Sequence, residues 1–522
     1  MPHSPLLHRL TRIWRKAQKQ LPNNSRTQWT RRRFIRMMAL VSGSSVTATA
    51  IYQPRPVLSQ SLSRIAIIGG GIAGLNAAYQ LKKQGYTATV YEAKSRLGGR
   101  MYTRTGDFDS GLYLDFGGAF INSDQEDILT LVEEFNLSLF NRIEAATASP
   151  VPGTAYYFDG RKYSEAEIAE LFLPLAQQIM VDSDLLDEDF EQYAPILDRL
   201  SVADYLDQHA DKIPSPLVRV LMENVIRTEY GAEAFQSSAL QLLFIFPTVE
   251  EGSVDVLGAS DEAYMVSGGS SQVINSLTRA LRGQIKTRQA LTKLESQEKG
   301  FRLSFASGDT VEADYVILAI PFTTLRQVDL RVDLPPNLRQ FINDVDLGQN
   351  DKLFARFQEK TWKRKGVFDE DFWTNFGYVT GWESTIRIPE RKDGVLTFFY
   401  GGRDVNDFHS NSIRSLSQEA LNSFDNIVPG IKEQTTNQFL RSSWSLDPYI
   451  KGSYTNFKPG QLSEFAEYLY IEAEDPEESQ NVAVGNLVFA GEHLSDEFGG
   501  YMNGGAQTGR LAAAVVAQMI AP

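Results

Sequence analysis

The sequence contains no cysteine and only five histidines among its 522 residues. Without cysteine the chain forms no disulfide bond and builds no thiolate metal site. The histidines do not follow spacings that bind metals, such as H-x-H or H-E-x-x-H, so the sequence predicts no metal centre. An apolar stretch near the N-terminus, Met37 to Val46, is too short and too rich in Ser and Gly to span a bilayer permanently. The chain is long enough for a large buried core and two or more structural lobes.

Acidic residues are absent from residues 1–60, which contain eleven Lys and Arg residues. The remaining chain holds 40 basic and 65 acidic residues, a net charge of −25. Such a surface repels nucleic acid and anionic membranes, and it attracts cations. The acidity has two explanations: it steers a cationic substrate, or it keeps an exported protein soluble.

The basic N-terminal segment resembles an export leader. The run Thr30-Arg31-Arg32-Arg33-Phe34-Ile35-Arg36 is similar to the twin-arginine export box S/T-R-R-x-F-L-K. The apolar stretch follows it, and Ala48-Thr49-Ala50 then supplies an A-x-A cleavage pattern. We therefore expect a signal peptide over residues 1–50 and a polar linker over 51–63, with a basic disordered tail as the alternative. This resemblance implies recognition by export machinery and delivery to the periplasm or the thylakoid lumen.

A strand, a glycine turn and a helix begin the folded part of the chain. The apolar strand Ile65–Ile68 leads into a G-x-G-x-x-G pattern, and a second strand, Ala88 to Tyr91, ends at Glu92, 18 residues past the last glycine. The three glycines are Gly69, Gly71 and Gly74. This combination is typical of a β-α-β dinucleotide site, in which backbone amides approach a pyrophosphate and the acid binds a ribose. The strands, the helix and the acid together disfavour a nucleotide-free α/β turn.

Further glycine-rich blocks indicate which dinucleotide is bound. Gly-Gly pairs occur in Arg96-Leu97-Gly98-Gly99-Arg100 and in Asp115-Phe116-Gly117-Gly118-Ala119. An apolar strand, Leu487 to Phe489, leads through Ala490-Gly491 to Glu492, and a glycine-rich segment from Gly499 then opens a helix predicted to run through Ala514. A nicotinamide dinucleotide has no need of these pairs. A flavin dinucleotide has a ribityl chain and a flat ring that need close backbone approach.

These blocks resemble the flavin-containing amine oxidase family, which has R-x-G-G-R, FAG-E/T and G-Y/W-M-x-G-A at matching places, and they bracket residues 65–510. The resemblance implies that FAD is the cofactor. The cofactor-binding residues that it implies are Gly69, Gly71, Gly74, Glu92, Lys94, Gly99, Arg100, Gly118, Ala119, Ala290, Gly491, Glu492, Tyr501 and Met502.

Three positions differ from the family's pattern or match it only approximately. Lys94 stands where many family members have arginine, which keeps the charge. Ala290 is the nearest match to a small residue that the family places against FAD, and core packing explains it equally well. Ser453 occupies the position at which some relatives attach flavin through a cysteine sulfur. Since the chain has no cysteine, we expect FAD to be bound non-covalently.

The resemblance implies an α/β fold with a Rossmann-like FAD-binding domain that is discontinuous in sequence. We expect this domain at residues 64–140, 265–321 and 450–522. An α+β substrate-binding domain is expected in the inserted segments, 141–264 and 322–449. The first insertion has apolar residues at helical spacing, and the second is richer in β-type residues.

Three residues are candidates for catalysis. The family places a lysine at the position of Lys352, hydrogen-bonded through water to the flavin N5 atom; an ordinary solvated lysine is the alternative. Tyr454 and Tyr501 match positions at which several relatives have two aromatic rings that flank the amine. Plain core tyrosines are the alternative here, and Trp444 is interpreted as packing support.

The expected reaction is oxidation of a C–H bond beside a nitrogen, with molecular oxygen as the acceptor and hydrogen peroxide as a product. The overall layout resembles that of cyanobacterial L-amino-acid oxidases that favour basic amino acids. The sequence therefore favours an L-amino-acid oxidase acting on arginine or lysine, and the acidic mature chain suits such a cationic substrate. Glu229 and Asp255 are candidate partners for the cationic tail.

One position argues against an amino-acid substrate. Amino-acid oxidases often bind the substrate carboxylate with an arginine in G-G/P-x-R, but here Phe120 occupies that position. Either another arginine does this task or the substrate lacks a carboxylate. The alternatives are an amine or polyamine oxidase, a carotenoid-type desaturase and a non-catalytic FAD-binding protein. The oligomeric state stays open, a homodimer included.

Overall fold

The computed structural model describes residues 63–250, 253–255, 260–473 and 479–521. The predicted signal peptide and all of the predicted linker except Ser63 lie outside these residues. The described chain has the predicted α/β class and is built around two large sheets.

The first large sheet is six-stranded, and its neighbouring strands are parallel except for the last pair. In spatial order the strands are Ile285–Thr287, Ala88–Glu92, Ile65–Ile68, Tyr315–Leu318, Leu487–Phe489 and Ala483–Val484. The central strands are almost entirely apolar and buried, as expected for a parallel sheet that is covered on both faces. All six strands lie in the segments for which the sequence predicts the FAD-binding domain; the domain boundaries themselves stay predictions.

Two helices pack together against this sheet. They are Ile72–Lys83, which follows the first strand, and the C-terminal helix Met502–Ile520. A Cβ atom on Gly509 would lie 2.3 Å from the carbonyl oxygen of Ala73, so only glycine allows the two helices to approach so closely. The C-terminal helix continues six residues beyond the predicted end at Ala514, since the added residues are alanine, valine, glutamine, methionine and isoleucine, none of which breaks a helix.

The second large sheet is seven-stranded, and its strands pair antiparallel except for one parallel pair, Asp371–Thr374 with Thr154–Phe158. In spatial order the strands are Thr435–Arg441, Asn350–Phe357, Gly394–Gly401, Thr380–Glu383, Asp371–Thr374, Thr154–Phe158 and Arg161–Tyr163. All seven lie in the segments for which the sequence predicts the substrate-binding domain. Lys352 lies on the second of these strands, opposite Phe399.

The described residues also form smaller sheets. A hairpin forms from Phe301–Phe305 and Thr310–Ala313, and it belongs to a four-stranded sheet with Leu291–Ser296 and Asp329–Arg331. The other small sheets are Phe120–Ile121 with Tyr264–Val266 and Leu139–Asn141, Thr103–Thr105 with Tyr113–Asp115, Thr248–Glu250 with Ser253–Asp255, and Asp346–Leu347 with Thr455–Asn456.

The first insertion is rich in helices, as its apolar periodicity predicts. Its longest helix, Glu165–Glu188, starts at a capping box formed by Ser164 and Glu167. Within the described residues, no helix is long and apolar enough to cross a membrane. The remaining α-helices are Glu126–Glu134, Arg142–Ala148, Phe190–Asp198, Val202–Gln208, Pro216–Tyr230, Ala239–Ile245, Ser271–Ala280, Phe322–Leu325, Pro336–Asp344, Thr361–Arg364, Asp404–Ser410, Ile413–Phe424 and Gln461–Glu464.

Candidate active site

An elongated cavity begins at the carboxyl ends of the parallel strands and extends to the seven-stranded sheet. Open α/β sheets bind their ligands at this edge. Fourteen of the predicted site residues line the cavity: Gly69, Gly71, Glu92, Lys94, Gly99, Arg100, Gly118, Ala290, Lys352, Tyr454, Gly491, Glu492, Tyr501 and Met502. Gly74 and Ala119 do not line it. Ala119 packs in a buried cluster with Phe120 and Trp382, and the cofactor contacts predicted for all these residues stay predictions.

The glycines of the first turn have two different surroundings. A Cβ atom on Gly74 would lie 2.0 Å from the carbonyl oxygen of Gly69, so Gly74 allows the helix to pack against the turn. A Cβ atom on Gly71 would meet no protein atom within 4 Å, although Gly71 borders the cavity. The turn therefore leaves free space next to the first amides of helix Ile72–Lys83, where a pyrophosphate fits.

The Glu92 carboxylate is fixed by backbone amides at the end of the second strand. Its Oε2 accepts a hydrogen bond of 2.7 Å from Gly70 N, and its Oε1 accepts one of 2.8 Å from Lys94 N. Burial raises the pKa of Glu92, an effect that the two amides and the nearby Arg96 and Lys94 only partly offset. The oriented oxygens retain lone pairs, so the residue fits the predicted role of a ribose acceptor.

An ion pair connects the second and last glycine-rich blocks. Arg100 Nη1 lies 2.7 Å from Glu492 Oε1 and donates a second hydrogen bond of 2.7 Å to the Ser453 carbonyl. Glu492 also accepts hydrogen bonds from Thr455 Oγ1 and Gly500 N. Burial alone would raise the pKa of Glu492, but the Arg100 charge and these hydrogen bonds outweigh it and hold the pKa below its usual value.

Lys94 and Arg96 are also engaged within the protein. Lys94 Nζ forms an ion pair with Asp447, and the Arg96 guanidinium lies 4.2 Å from the centre of the Tyr102 ring. Trp444 borders the cavity, and its indole nitrogen donates a hydrogen bond of 2.8 Å to Phe116 O. That bond suits the support role interpreted from the sequence.

Lys352 is deeply buried, with only 3% of its surface exposed, so it is not an ordinary solvated lysine. Its Nζ donates hydrogen bonds to the carbonyl oxygens of Asp115, at 2.9 Å, and Gly117, at 2.6 Å. Burial lowers the pKa of Lys352 to about 8, against a smaller opposing effect of the Asp115 carboxylate. Lys352 therefore places a positive charge that titrates near neutral pH at the wall of the cavity.

The two predicted tyrosines line the same cavity and are anchored by their hydroxyl groups. The Tyr454 hydroxyl donates to the carbonyl of Thr228, and the Tyr501 hydroxyl hydrogen-bonds with the Ser260 side chain. Burial raises the pKa of both hydroxyls well above the usual value, and the neighbouring Glu229 raises both further. Both tyrosines therefore stay protonated and uncharged, and their hydrogen bonds hold the rings in place.

The structure describes the side chain of one candidate acid, Glu229, and an arginine close to Phe120. Glu229 is buried beside the tyrosines but does not line the cavity, and burial followed by the charge of Glu262 raises its pKa. Asp255 ends a strand, and its side chain lies outside the described part of the structure. The Arg142 guanidinium lies 4.3 Å from the centre of the Phe120 ring and is paired with Glu262 at 2.6 Å.

Among the cavity residues that the sequence analysis missed is a buried histidine. His493 lines the cavity directly after Glu492 and is 3% exposed. Its ring lies 4.4 Å from the Phe322 ring in an edge-to-face contact. The only signal in the sequence was its place next to the Gly-Glu pair, because its burial depends on a segment 171 residues away.

The parallel sheet carries a glycine-lined cradle and an acid suited to bind a ribose, and a buried lysine and two tyrosines line the same cavity. These features define a dinucleotide-dependent oxidoreductase. Residues 72–517 match the family model described as flavin containing amine oxidoreductase. The chain belongs to this family, and FAD is its cofactor.

Individual relatives are distant but match over most of their length. A flavin-containing amine oxidase of Oncorhynchus mykiss is 24% identical, with 87% of this chain and 86% of the relative covered. An L-amino acid dehydrogenase of Synechocystis is 23% identical, over 86% of this chain and 94% of the relative. Wild-type putrescine oxidase bound to putrescine has a TM-score of 0.70 at 20% identity, over 87% of this chain and 99% of that chain, which shows a shared fold.

Proposed function

We propose that the protein is an FAD-dependent L-amino-acid oxidase that deaminates arginine or lysine to the 2-oxo acid, ammonia and hydrogen peroxide. The observation that carries the proposal is the meeting of Lys352, Tyr454 and Tyr501 on one cavity with the dinucleotide cradle. Two observations support an amino acid that carries a second positive charge: the likeness over 94% of a Synechocystis L-amino acid dehydrogenase, and the net charge of −25 over residues 61–522.

Bound FAD supplies the two-electron acceptor for the amine C–H bond. The chain's own residues orient the substrate and shape the charge around it. The neutral rings of Tyr454 and Tyr501 provide apolar faces for the amine and exclude water. Lys352, when protonated, favours negative charge that develops nearby. Glu229 is buried beside both tyrosines, and a cationic tail that approached it would favour the charged carboxylate that burial disfavours.

An amine or polyamine oxidase is the second candidate, and one observation favours it. Phe120 replaces the arginine of many amino-acid oxidases, and the nearest guanidinium, Arg142, is already paired with Glu262. The likeness to putrescine oxidase also supports an amine substrate. The two candidates differ in whether the substrate carries a carboxylate.

Anaerobic mixing with matched substrates tests both candidates. L-Arginine and L-lysine are compared with their decarboxylated counterparts, agmatine and cadaverine, by loss of the visible flavin band, and peroxide is then measured in air. Faster bleaching by the amino acids supports the first proposal, and faster bleaching by the diamines supports the second. An intact band with all four, and with spermidine and benzylamine, would rule out both.

We also propose that residues 1–50 direct export by the twin-arginine route to the periplasm or the thylakoid lumen. The supporting feature is the Arg31-Arg32 pair followed by Phe34. Replacing both arginines by lysine should retain the precursor in the cytoplasm, as judged by fractionation and immunoblotting. Normal export of that variant would contradict the proposal.

A further inference from the structure

His493 is a buried polar side chain that the chemistry proposed above does not use. Its two ring nitrogens, Nδ1 and Nε2, have no hydrogen-bond partner among the described residues, and only 3% of the residue is exposed. A buried donor or acceptor without a partner costs about 1–3 kcal/mol. Native structures retain such groups where a ligand or water completes them.

The position of His493 identifies the ligand as part of the cofactor. His493 lines the cavity next to Gly491 and Glu492, just past the end of strand Leu487–Phe489. The neighbouring strand Tyr315–Leu318 is followed by Ala319, Ile320 and Pro321, which line the same wall. Ala319 and Ile320 lie close to the Gly69 turn, where an added Cβ atom on Gly69 would be 2.3 Å from the Ala319 carbonyl oxygen. This wall is therefore the one that faces the dinucleotide backbone.

The ring is oriented by its neighbours. Its edge-to-face contact with Phe322 fixes one side. On the other side the ring lies against Gly491, where an added Cβ atom would be 2.6 Å from Nδ1 and 3.5 Å from Nε2. Gly491 has a φ of +146°, so glycine is required there for the backbone as well. The imidazole is thus held in place before any ligand binds.

The protonation state of His493 suits a hydroxyl or a phosphoryl oxygen. Burial lowers the pKa of His493 to about 4; the nearby Glu492 charge opposes this effect, and Arg100 adds to it. A neutral imidazole has one N–H donor and one acceptor nitrogen. A ribityl hydroxyl can pair with either ring nitrogen, and a diphosphate oxygen can accept a hydrogen bond from the N–H.

We infer that His493 is a cofactor-binding residue, whose imidazole hydrogen-bonds with the ribityl–diphosphate segment of FAD. The inference depends on the cofactor and not on the substrate, so it stands or fails apart from the proposed function.

The test compares His493→Phe with His493→Gln in the purified holoenzyme. Phenylalanine keeps the ring contacts with Phe322 and Gly491 but has no polar atom, whereas glutamine keeps a donor and an acceptor. Flavin fluorescence after serial dilution gives the FAD dissociation constant. We expect His493→Phe to weaken FAD binding about 10- to 100-fold, as for loss of one or two hydrogen bonds, and His493→Gln to recover part of it.

A second readout separates cofactor binding from a structural role. Removing unpaired buried polar atoms leaves stability unchanged or increases it. After FAD removal, His493→Phe should therefore unfold at the same temperature as the wild-type apoprotein or at a higher one. With FAD bound, it should unfold at a lower temperature than the wild-type holoenzyme. His209→Phe is the control, because the His209 ring packs at a tilt against the Tyr205 ring, away from the cavity. Wild-type FAD affinity in His493→Phe, or equal destabilisation with and without FAD, would overturn the inference.

Discussion

Arg100 and Glu492 form an ion pair of 2.7 Å although 392 residues separate them along the chain. Arg100 follows the strand Ala88–Glu92, and Glu492 follows the strand Leu487–Phe489. The pair therefore joins two segments of the FAD-binding part that the insertions separate in the sequence. Both residues border the cavity, and the pair therefore links cofactor binding to the assembly of a domain that is discontinuous in sequence.

Glu492→Gln is expected to destabilise the protein by about 2 kcal/mol, because Arg100 keeps a hydrogen bond but loses its buried charge partner. Urea unfolding followed by tryptophan fluorescence measures the change. Arg64→Met is the control. Its pair with Asp314 is at the surface, where an ion pair contributes less than about 1 kcal/mol. An equal effect of the two variants would show that burial of the Arg100 pair contributes nothing.

The first β-α-β unit was predictable because its signals are local: a run of apolar residues, three glycines and an acid at fixed spacing. The partners of Lys352 were not, since the carbonyls of Asp115 and Gly117 come from a segment more than 230 residues away. The burial of His493 depends in the same way on Phe322. The Arg142 guanidinium lies 4.3 Å from the centre of the Phe120 ring, a contact that no sequence motif predicted.

Glu92→Ala should lose FAD on dilution, because both backbone amides and the ribose lose their acceptor. Glu92→Gln should retain more FAD, although its amide NH₂ cannot accept a hydrogen bond from the second backbone N–H. Burial raises the pKa of Glu92, so the wild type should also lose FAD as the pH falls through that raised value, whereas Glu92→Gln should lack this dependence. Fluorescence of released flavin measures both effects. A fully yellow Glu92→Ala protein after dilution would contradict the ribose role.

Gly71→Ala and Gly74→Ala are expected to have different defects despite the same change. A methyl group at Gly74 would collide with the Gly69 carbonyl at 2.0 Å, so Gly74→Ala should fail to fold or lose several kcal/mol. A methyl group at Gly71 meets no protein atom, and its φ of −78° suits alanine, so that variant should fold. It should bind FAD more weakly, because the methyl group enters the cavity. Circular dichroism and flavin content distinguish these outcomes, and normal flavin content in Gly71→Ala would remove the turn from the cofactor site.

Lys352→Met should retain FAD but slow turnover about tenfold or more, with the loss in the oxygen-dependent half of the reaction. The charge of Lys352 is present below its pKa of about 8 and is lost above it. In the wild type, the rate at which oxygen restores the visible flavin band should therefore fall as the pH rises through about 8, and the methionine variant should be slow and flat across this range. Stopped-flow absorbance of the reduced enzyme mixed with oxygen measures both. Lys299→Met, at an exposed hairpin turn, is the matched control and should behave as the wild type. Wild-type rates in Lys352→Met would remove this lysine from the active site.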